Sequence, residues 1–333
     1  MLTSSESVDR WLALQHNWGY ALNTVTAYSR ALREYQRFCG EQGIAVETAS
    51  REHVARYVRY LLDHPIVTRT RDGPQHSVLA HATIRQRLTA VRLFYQYLVE
   101  EGRRTTNPVG RGGRPGSRSR YGIRAIVPAQ HHLPWIPNDA EWRQLLDEAR
   151  AMPLRNRLML ALAYDAGLRR EELCRLHTGD IDPARRLLQI RAETTKGHRS
   201  RVVPYSIGTG QLLQQYLVHR RQVTNARGAL FISESPRTKG QPITRWTWSK
   251  VIRALGDAAG LPRFSTHTLR HLCLTDLARS GWDLHEIATF AGHCTTATTL
   301  LYIHLSGREL MAKLASASAV HQARVADLRE ALP

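Results

Sequence analysis

Carboxylates are scarce in this chain. Its 333 residues carry 28 Asp and Glu against 47 Lys and Arg, a formal net charge of +19. Such an excess repels itself and calls for an anionic partner, nucleic acid first and an anionic membrane surface second. The excess is mostly arginine, spread along the whole chain, and a planar guanidinium suits two-point contact with phosphate better than an ammonium group does. Long apolar runs are missing too. The richest, "LMLALAY" at 158–164, stops at Asp165, far short of the roughly 20 residues a membrane helix needs, which sets the membrane reading aside. The N-terminus shows no basic region joined to an apolar run, so no signal peptide is expected. Cys39, Cys174, Cys273 and Cys294 are scattered, with no CxxC pair. That argues against a disulfide framework and for a reduced, intracellular protein with buried thiols. No internal repeat is evident.

What is present organises itself into two parts, as the length allows at roughly 150 residues per domain. The first hundred residues read as helices, four or five in number, with no strand-like alternation between them. "NTVTAYSRALREYQRFCGEQG" starts with Asn23 as N-cap and ends at Gly43; "SREHVARYVRYLLDHP" ends at Pro65. "ATIRQRLTAVRLFYQYLVEEG" sets Ile84, Leu88, Val91, Tyr95 and Leu98 at helical spacing. From Gly102 to Asn138 there is no acidic residue, and Arg103, Arg104, Arg111, Arg114, Arg118, Arg120 and Arg124 stand among Gly, Pro and Ser. This stretch is expected to be a linker that tracks phosphate as a basic strap; the bland alternative is a solvated connector. The expected division is a helical domain at 1–106, the linker at 107–137 and a second domain with a C-terminal tail at 138–333. The second domain opens with an Asn138–Glu141 capping-box pattern. A hydrophobic helix at 154–166 follows, then two short strands around a turn at Thr195 to His198, then helices. The tryptophans of "TRWTWSK" read as core and scaffold.

The unusual residues lie in four segments of that second domain. "AGLRREEL" carries Arg169 just past a helix end, and the hairpin turn carries Lys196. "THTLRH" places His267 and Arg270 on one helical face, and "GHCTTATTLLYIH" carries His293 and Tyr302. Each has a dull explanation alone: Arg169 could pair with Glu172, Lys196 could be an exposed turn residue, and Tyr302 could be core. His267 and His271 have the i, i+4 spacing of zinc ligands. A hydrolytic zinc motif, however, needs a glutamate where Thr268 stands, and Arg270 would set a second cation beside the metal. No serine occupies a nucleophile elbow. Phosphoryl transfer without metal uses all the odd residues at once. Arginines and histidine N–H groups hold the growing negative charge, a tyrosine hydroxyl attacks, and a lysine protonates the leaving oxygen.

The order Arg, Lys, His-x-x-Arg, His, Tyr, with the flanks "YDAGLRREELCRL", "TTKGHRSRVVP", "THTLRHLCLTDLARSG" and "EIATFAGHCTTATTLLYIH", resembles the tyrosine recombinase (phage integrase) family of Xer- and Cre-type site-specific recombinases. The resemblance covers most of the chain. It implies a mainly α fold with a small β-sheet: a helical, SAM-like core-binding domain and a catalytic domain closing on DNA as a C-shaped clamp. It implies that Arg169 and Arg270 grip the scissile phosphate, that His267 and His293 hydrogen-bond it and assist proton transfer, and that Lys196 is the general acid. Tyr302 attacks to leave a 3′-phosphotyrosyl link, and Glu172 supports Arg169. Lys239 lies in a similar "TKG" turn, but strand-like residues flank Lys196 on both sides.

The implied activity is cutting and rejoining of DNA for integration, excision, resolution or transposition, without metal, nucleotide or other cofactor. A non-catalytic DNA-binding regulator and a type IB topoisomerase-like enzyme are the rival readings. The implied partners are double-stranded DNA with inverted-repeat sites and three further copies of the chain, a tetramer on two sites, with other recombinases or accessory proteins admissible. A cytoplasmic, nucleoid-associated location is expected. After Tyr302, Leu310, Leu314, Val325, Leu328 and Leu332 recur at near-helical spacing; the bland reading packs this tail against its own domain, while the resemblance implies that it docks onto a neighbouring protomer.

Overall fold

A computed structural model describes residues 4–63, 66–70, 73–109, 127, 134–195, 197–295, 298–300, 302 and 324. Lys196, the strap arginines Arg111, Arg114, Arg118, Arg120 and Arg124, and the tail apart from Arg324 lie outside the described residues. The chain divides into two compact units, Met1–His132 and Leu133–Pro333.

The first unit is helical as expected: α1 (Ser4–Asn17), α2 (Leu22–Glu41), α3 (Arg51–Asp63) and α4 (His81–Glu100). Its core forms where the apolar spacing of these helices converges. Ile84, Leu88, Val91, Tyr95 and Leu98 of α4 are fully buried, against Trp11, Leu32, Tyr35 and Tyr57. Two expectations fail. Helix α2 begins at Leu22, so Asn23 lies inside it rather than capping it. A β-hairpin, β1 (Ile66–Thr70) and β2 (Gly73–Ser77), interrupts the helices, pairing antiparallel from Ile66↔Ser77 to Thr70↔Gly73. Ile66, Val67, Thr68 and Thr70 are β-branched, and side chains of that kind favour the extended backbone. Within the stretch read as linker, Val109 and Val127 are buried in the first unit's core. Arg103 and Arg104 also serve this unit. Arg103 bonds Ser7 Oγ at 2.5 Å. Arg104 donates to Ala49 O at 2.9 Å and lies 4.9 Å from the Tyr95 ring centre.

The second unit is built on α5 (Asp139–Arg150) and α6 (Leu154–Asp165). The Asn138–Glu141 capping box is present: Asn138 Oδ1 accepts from Ala140 and Glu141, and Glu141 accepts from the Asn138 N–H at 2.7 Å. The apolar run at 158–164 is the buried side of α6, with Leu158, Met159 and Leu162 fully covered; no described helix is long and apolar enough to cross a membrane. A short helix α7 (Arg170–Cys174) follows. An antiparallel sheet comes next, in the order β3 (Ile181–Asp182), β4 (Leu187–Ile190), β5 (Arg201–Pro204), with Leu187↔Pro204 and Ile190↔Arg201 in register. Two of these strands were expected; β3, only two residues long, was not. Then come α8 (Ile207–Val223), α9 (Arg245–Ala258), α10 (Thr266–Arg279) and α11 (Leu284–Ala291). The paired tryptophans of α9 part company. Trp248 is core, while Trp246 is exposed between Arg170 and Arg245.

Candidate active site

Four pieces of chain bring the predicted residues together. Gly167, at φ 55°, turns the chain out of α6; a Cβ there would sit 3.0 Å from the Phe290 ring, so the turn needs glycine for both conformation and space. Two residues on, Arg169 caps α7. Its backbone N–H donates to Glu172 Oε2 at 2.9 Å, its Nη1 to Glu172 Oε1 at 2.8 Å, and its Nη2 to the Gly292 carbonyl at 3.1 Å. Glu172 is buried. Burial alone would raise its pKa, but bonds and charge from Arg201, then from Arg169, hold the carboxyl at about 2.

Helix α10 supplies three residues. Its N-cap Ser265 bonds the Thr268 N–H, setting His267 in the first turn. Arg270, 4% exposed, donates to the carbonyls of Gly167 at 2.5 Å and Ala291 at 2.6 Å. Burial, then the nearby Arg169 charge, brings its pKa down to about 10, so it stays charged at neutral pH. His271 lies one residue on.

Helix α11 ends on Gly292 in the left-handed conformation, φ 62° and ψ 51°, and this turn delivers His293. Beyond it residues 298–300 and 302 are helical, and Tyr302 is buried. The phenol is surrounded. Its hydroxyl shares a hydrogen bond with His271 Nδ1 at 3.0 Å. The His293 ring stacks on it, centroids 6.0 Å apart and 11° from parallel, with His293 Nδ1 held by Thr299 Oγ1 at 2.8 Å. Burial raises the Tyr302 pKa, and the charges of Arg270 and Arg169 pull it back. All three imidazoles are biased to the neutral form, chiefly by burial. Neighbouring arginines come second for His267 and His293, and His267 followed by Arg270 for His271; His271 and His293 fall to about 4.

Of the six predicted catalytic residues, Arg169, His267, Arg270, His293 and Tyr302 gather here, with Glu172 beneath Arg169. The sixth, Lys196, is outside the described residues, but its neighbour Gly197 packs on the residue after His293: a Cβ on Gly197 would lie 2.5 Å from Cys294 Sγ. Two residues were not foreseen as part of the site. His271 was visible only as half of a zinc-like pair, and its partner is the Tyr302 hydroxyl. Arg201 begins β5 and binds Glu172 with both terminal nitrogens, at 3.0 and 2.7 Å. In sequence nothing separates it from Arg199 beside it. Arg169 and Arg201 thus share one carboxylate while Arg270 is held by carbonyls, leaving the pocket positive and lined with donors, suited to a phosphodiester and to the charge it gains under attack.

The comparisons agree with this geometry. Residues 138–309 match the model of the phage integrase family, and residues 8–102 that of the phage integrase N-terminal SAM-like domain. Tyrosine recombinase XerC of Mycobacterium sp. (strain KMS) is 29% identical over 320 residues, 92% of this chain and 95% of that one. Tyrosine recombinase XerC 2 of Ralstonia nicotianae is 29% identical over 300 residues, 88% and 80% of the two chains. Among solved structures, the fold is like that of the Tn1549 transposon integrase in complex with transposon right end DNA, with a TM-score of 0.69 at 15% identity, covering 94% of this chain and all of that one. It is equally like XerH site-specific recombinase bound to palindromic difH, with a TM-score of 0.69 at 18% identity, covering 95% and 86%. With the catalytic model spanning more than half its length around the Arg169–Tyr302 site, the chain belongs to the phage integrase family and is a tyrosine recombinase.

Proposed function

We propose that this recombinase exchanges DNA strands at sites flanked by inverted repeats through a covalent link to Tyr302. The observation that carries the reading is the buried Tyr302 hydroxyl, bonded to His271 and set among Arg270, Arg169 and His293. Tyr302 Oη bonds to the phosphorus as the bond from phosphorus to the 5′ oxygen breaks. The phenolic proton passes to a neutral imidazole, His271 being in reach, and Lys196 gives a proton to the leaving 5′ oxygen. The product is a 3′-phosphotyrosyl link and a free 5′-hydroxyl. Attack by a 5′-hydroxyl from a second duplex reverses each step on a new partner, so the phosphoester energy is kept and no nucleotide is consumed. Arg169 and Arg270 hold the non-bridging oxygens, assisted by His267 and His293. The helical domain at 1–106 and the catalytic domain at 138–333 each bind the duplex, with the basic linker at 107–137 tracking phosphate. Four copies assemble on two sites in the cytoplasm, the C-terminal tail of each docking on its neighbour.

The test is Tyr302→Phe on a nicked suicide duplex carrying a site selected by the wild-type protein from a random-sequence duplex pool. The variant is expected to bind this duplex as the wild type does and to leave no covalent protein–DNA band on a denaturing gel. A trapped adduct in the Phe variant would refute the assignment.

A further inference from the structure

Two of the three guanidiniums of the site share the carboxylate of Glu172, and unequally. Arg201 takes both oxygens, at 3.0 and 2.7 Å, and its side chain is 7% exposed. Arg169 takes one, at 2.8 Å, and its side chain is 27% exposed, so it keeps an open side. Arg201 is also tied elsewhere. Its Nε donates to the Phe290 carbonyl at 2.9 Å, and a Cβ on Gly292 would lie 3.1 Å from its Cδ and Nη1. It therefore joins the start of β5 to the base of Arg169 on one side and to the turn before His293 on the other.

We propose that Arg201 is a positioning residue: it neutralises Glu172 so that the charge of Arg169 is left for the scissile phosphate, and it fixes the His293 turn against the Arg169 helix. The proposal rests on the reading that Arg169 grips that phosphate. The physical case is one of charge balance. A buried carboxylate needs a partner. With Arg201 present, the bidentate pair satisfies it, and the Arg169 guanidinium gives the carboxylate a single bond while its other terminal nitrogen holds the Gly292 carbonyl. Without Arg201, Arg169 is the remaining cation bonded to Glu172. It is drawn into a full ion pair, and its field at the phosphate is cancelled by the carboxylate behind it. Removing the carboxylate as well frees Arg169 again. A residue that merely braced the fold would show no such reversal.

The experiment compares wild type, Arg201→Met, Arg201→Lys and the double variant Arg201→Met/Glu172→Gln on the selected suicide duplex. It reads single-turnover cleavage rate, Kd for the intact duplex, and melting temperature. Arg201→Met is expected to cleave about 100-fold slower, the scale of losing one oriented donor to transition-state charge, with Kd changed by less than about threefold. The double variant is expected to regain at least about tenfold over Arg201→Met, although it lacks one more native interaction. Arg201→Lys keeps the charge but not the two-point grip, and is expected to fall between wild type and Arg201→Met. If Arg201→Met melts too low to assay, Arg201→Lys against Arg201→Lys/Glu172→Gln makes the same comparison. Cleavage by Arg201→Met at the wild-type rate, or a double variant no faster than its single parent, overturns the inference while leaving the proposed function standing. Failure of the wild type to form any adduct overturns the proposed function instead.

Discussion

An imidazole buried beside guanidiniums has two reasons to stay neutral, and this site holds three. Burial comes first and the charges of Arg270, Arg169 and Arg201 follow; together they take His293 from 6.5 to about 4, while burial, His267 and Arg270 do the same for His271. The folded pKa values lie below the unfolded ones, so between pH 6.5 and 4 the unfolded chain binds more protons. The stability these residues contribute is full above 6.5 and is lost as the pH falls toward 4. Glu172, held at about 2, loses its own contribution only below the ordinary carboxylate value of 4.5. The expected outcome is a melting temperature that falls from pH 7 to pH 4, with a shallower fall in His271→Gln/His293→Asn. An unchanged slope in that variant would show that other groups carry the acid sensitivity. At this scale the sequence was legible where chemistry demands a residue type in a given order, as for Arg169, His267, Arg270, His293 and Tyr302. It was silent on Arg201 and on the role of His271, because burial and partner choice arise only when distant segments meet.

Among the elements, α11 has the most exacting end. Gly292 combines a left-handed backbone with an approach to Arg201 so close that a Cβ, 3.1 Å from its Cδ and Nη1, would push that side chain. Gly292→Ala is expected to cost about 1–2 kcal/mol for the backbone alone, and to slow cleavage further by shifting Arg201 and the His293 turn. Gly260→Ala is the control. Gly260 has φ 66° with open space around it, so it bears the same backbone cost with no clash. A Gly292→Ala protein that melts like Gly260→Ala and cleaves like wild type would break the link between this helix end and the site. The helices themselves were legible where apolar spacing was strong, as in α4. Helix α8 falls in the stretch read as helical after the strands, and Ser206 caps it through the Thr209 N–H even though Gly208 and Gly210 stand in its first turn. The β1–β2 hairpin was passed over because strong helices stand on either side of it.

For the whole molecule, the net charge of +19 sets how binding responds to salt. Glutamine at Arg111, Arg114, Arg118, Arg120 and Arg124 is expected to weaken specific and random duplexes alike, and to make the salt dependence shallower by about 0.9 for each phosphate no longer neutralised. Weakening confined to the selected site would mean that the strap reads sequence. Arg104→Gln should differ, lowering the melting temperature with little change in salt slope, since Arg104 is bonded inside the first unit. The distribution of the site over the second unit has a consequence of another kind. Arg270 stands on α10 but is held by carbonyls that follow α6 and end α11, and Glu172 of α7 is held by Arg201 of β5. No fragment of the unit contains the whole cutting apparatus, and the loosening of any one of these elements dismantles it. A chain truncated within the unit is therefore expected to leave no adduct on the suicide duplex: the architecture acts as a safety catch, which releases only when these elements meet.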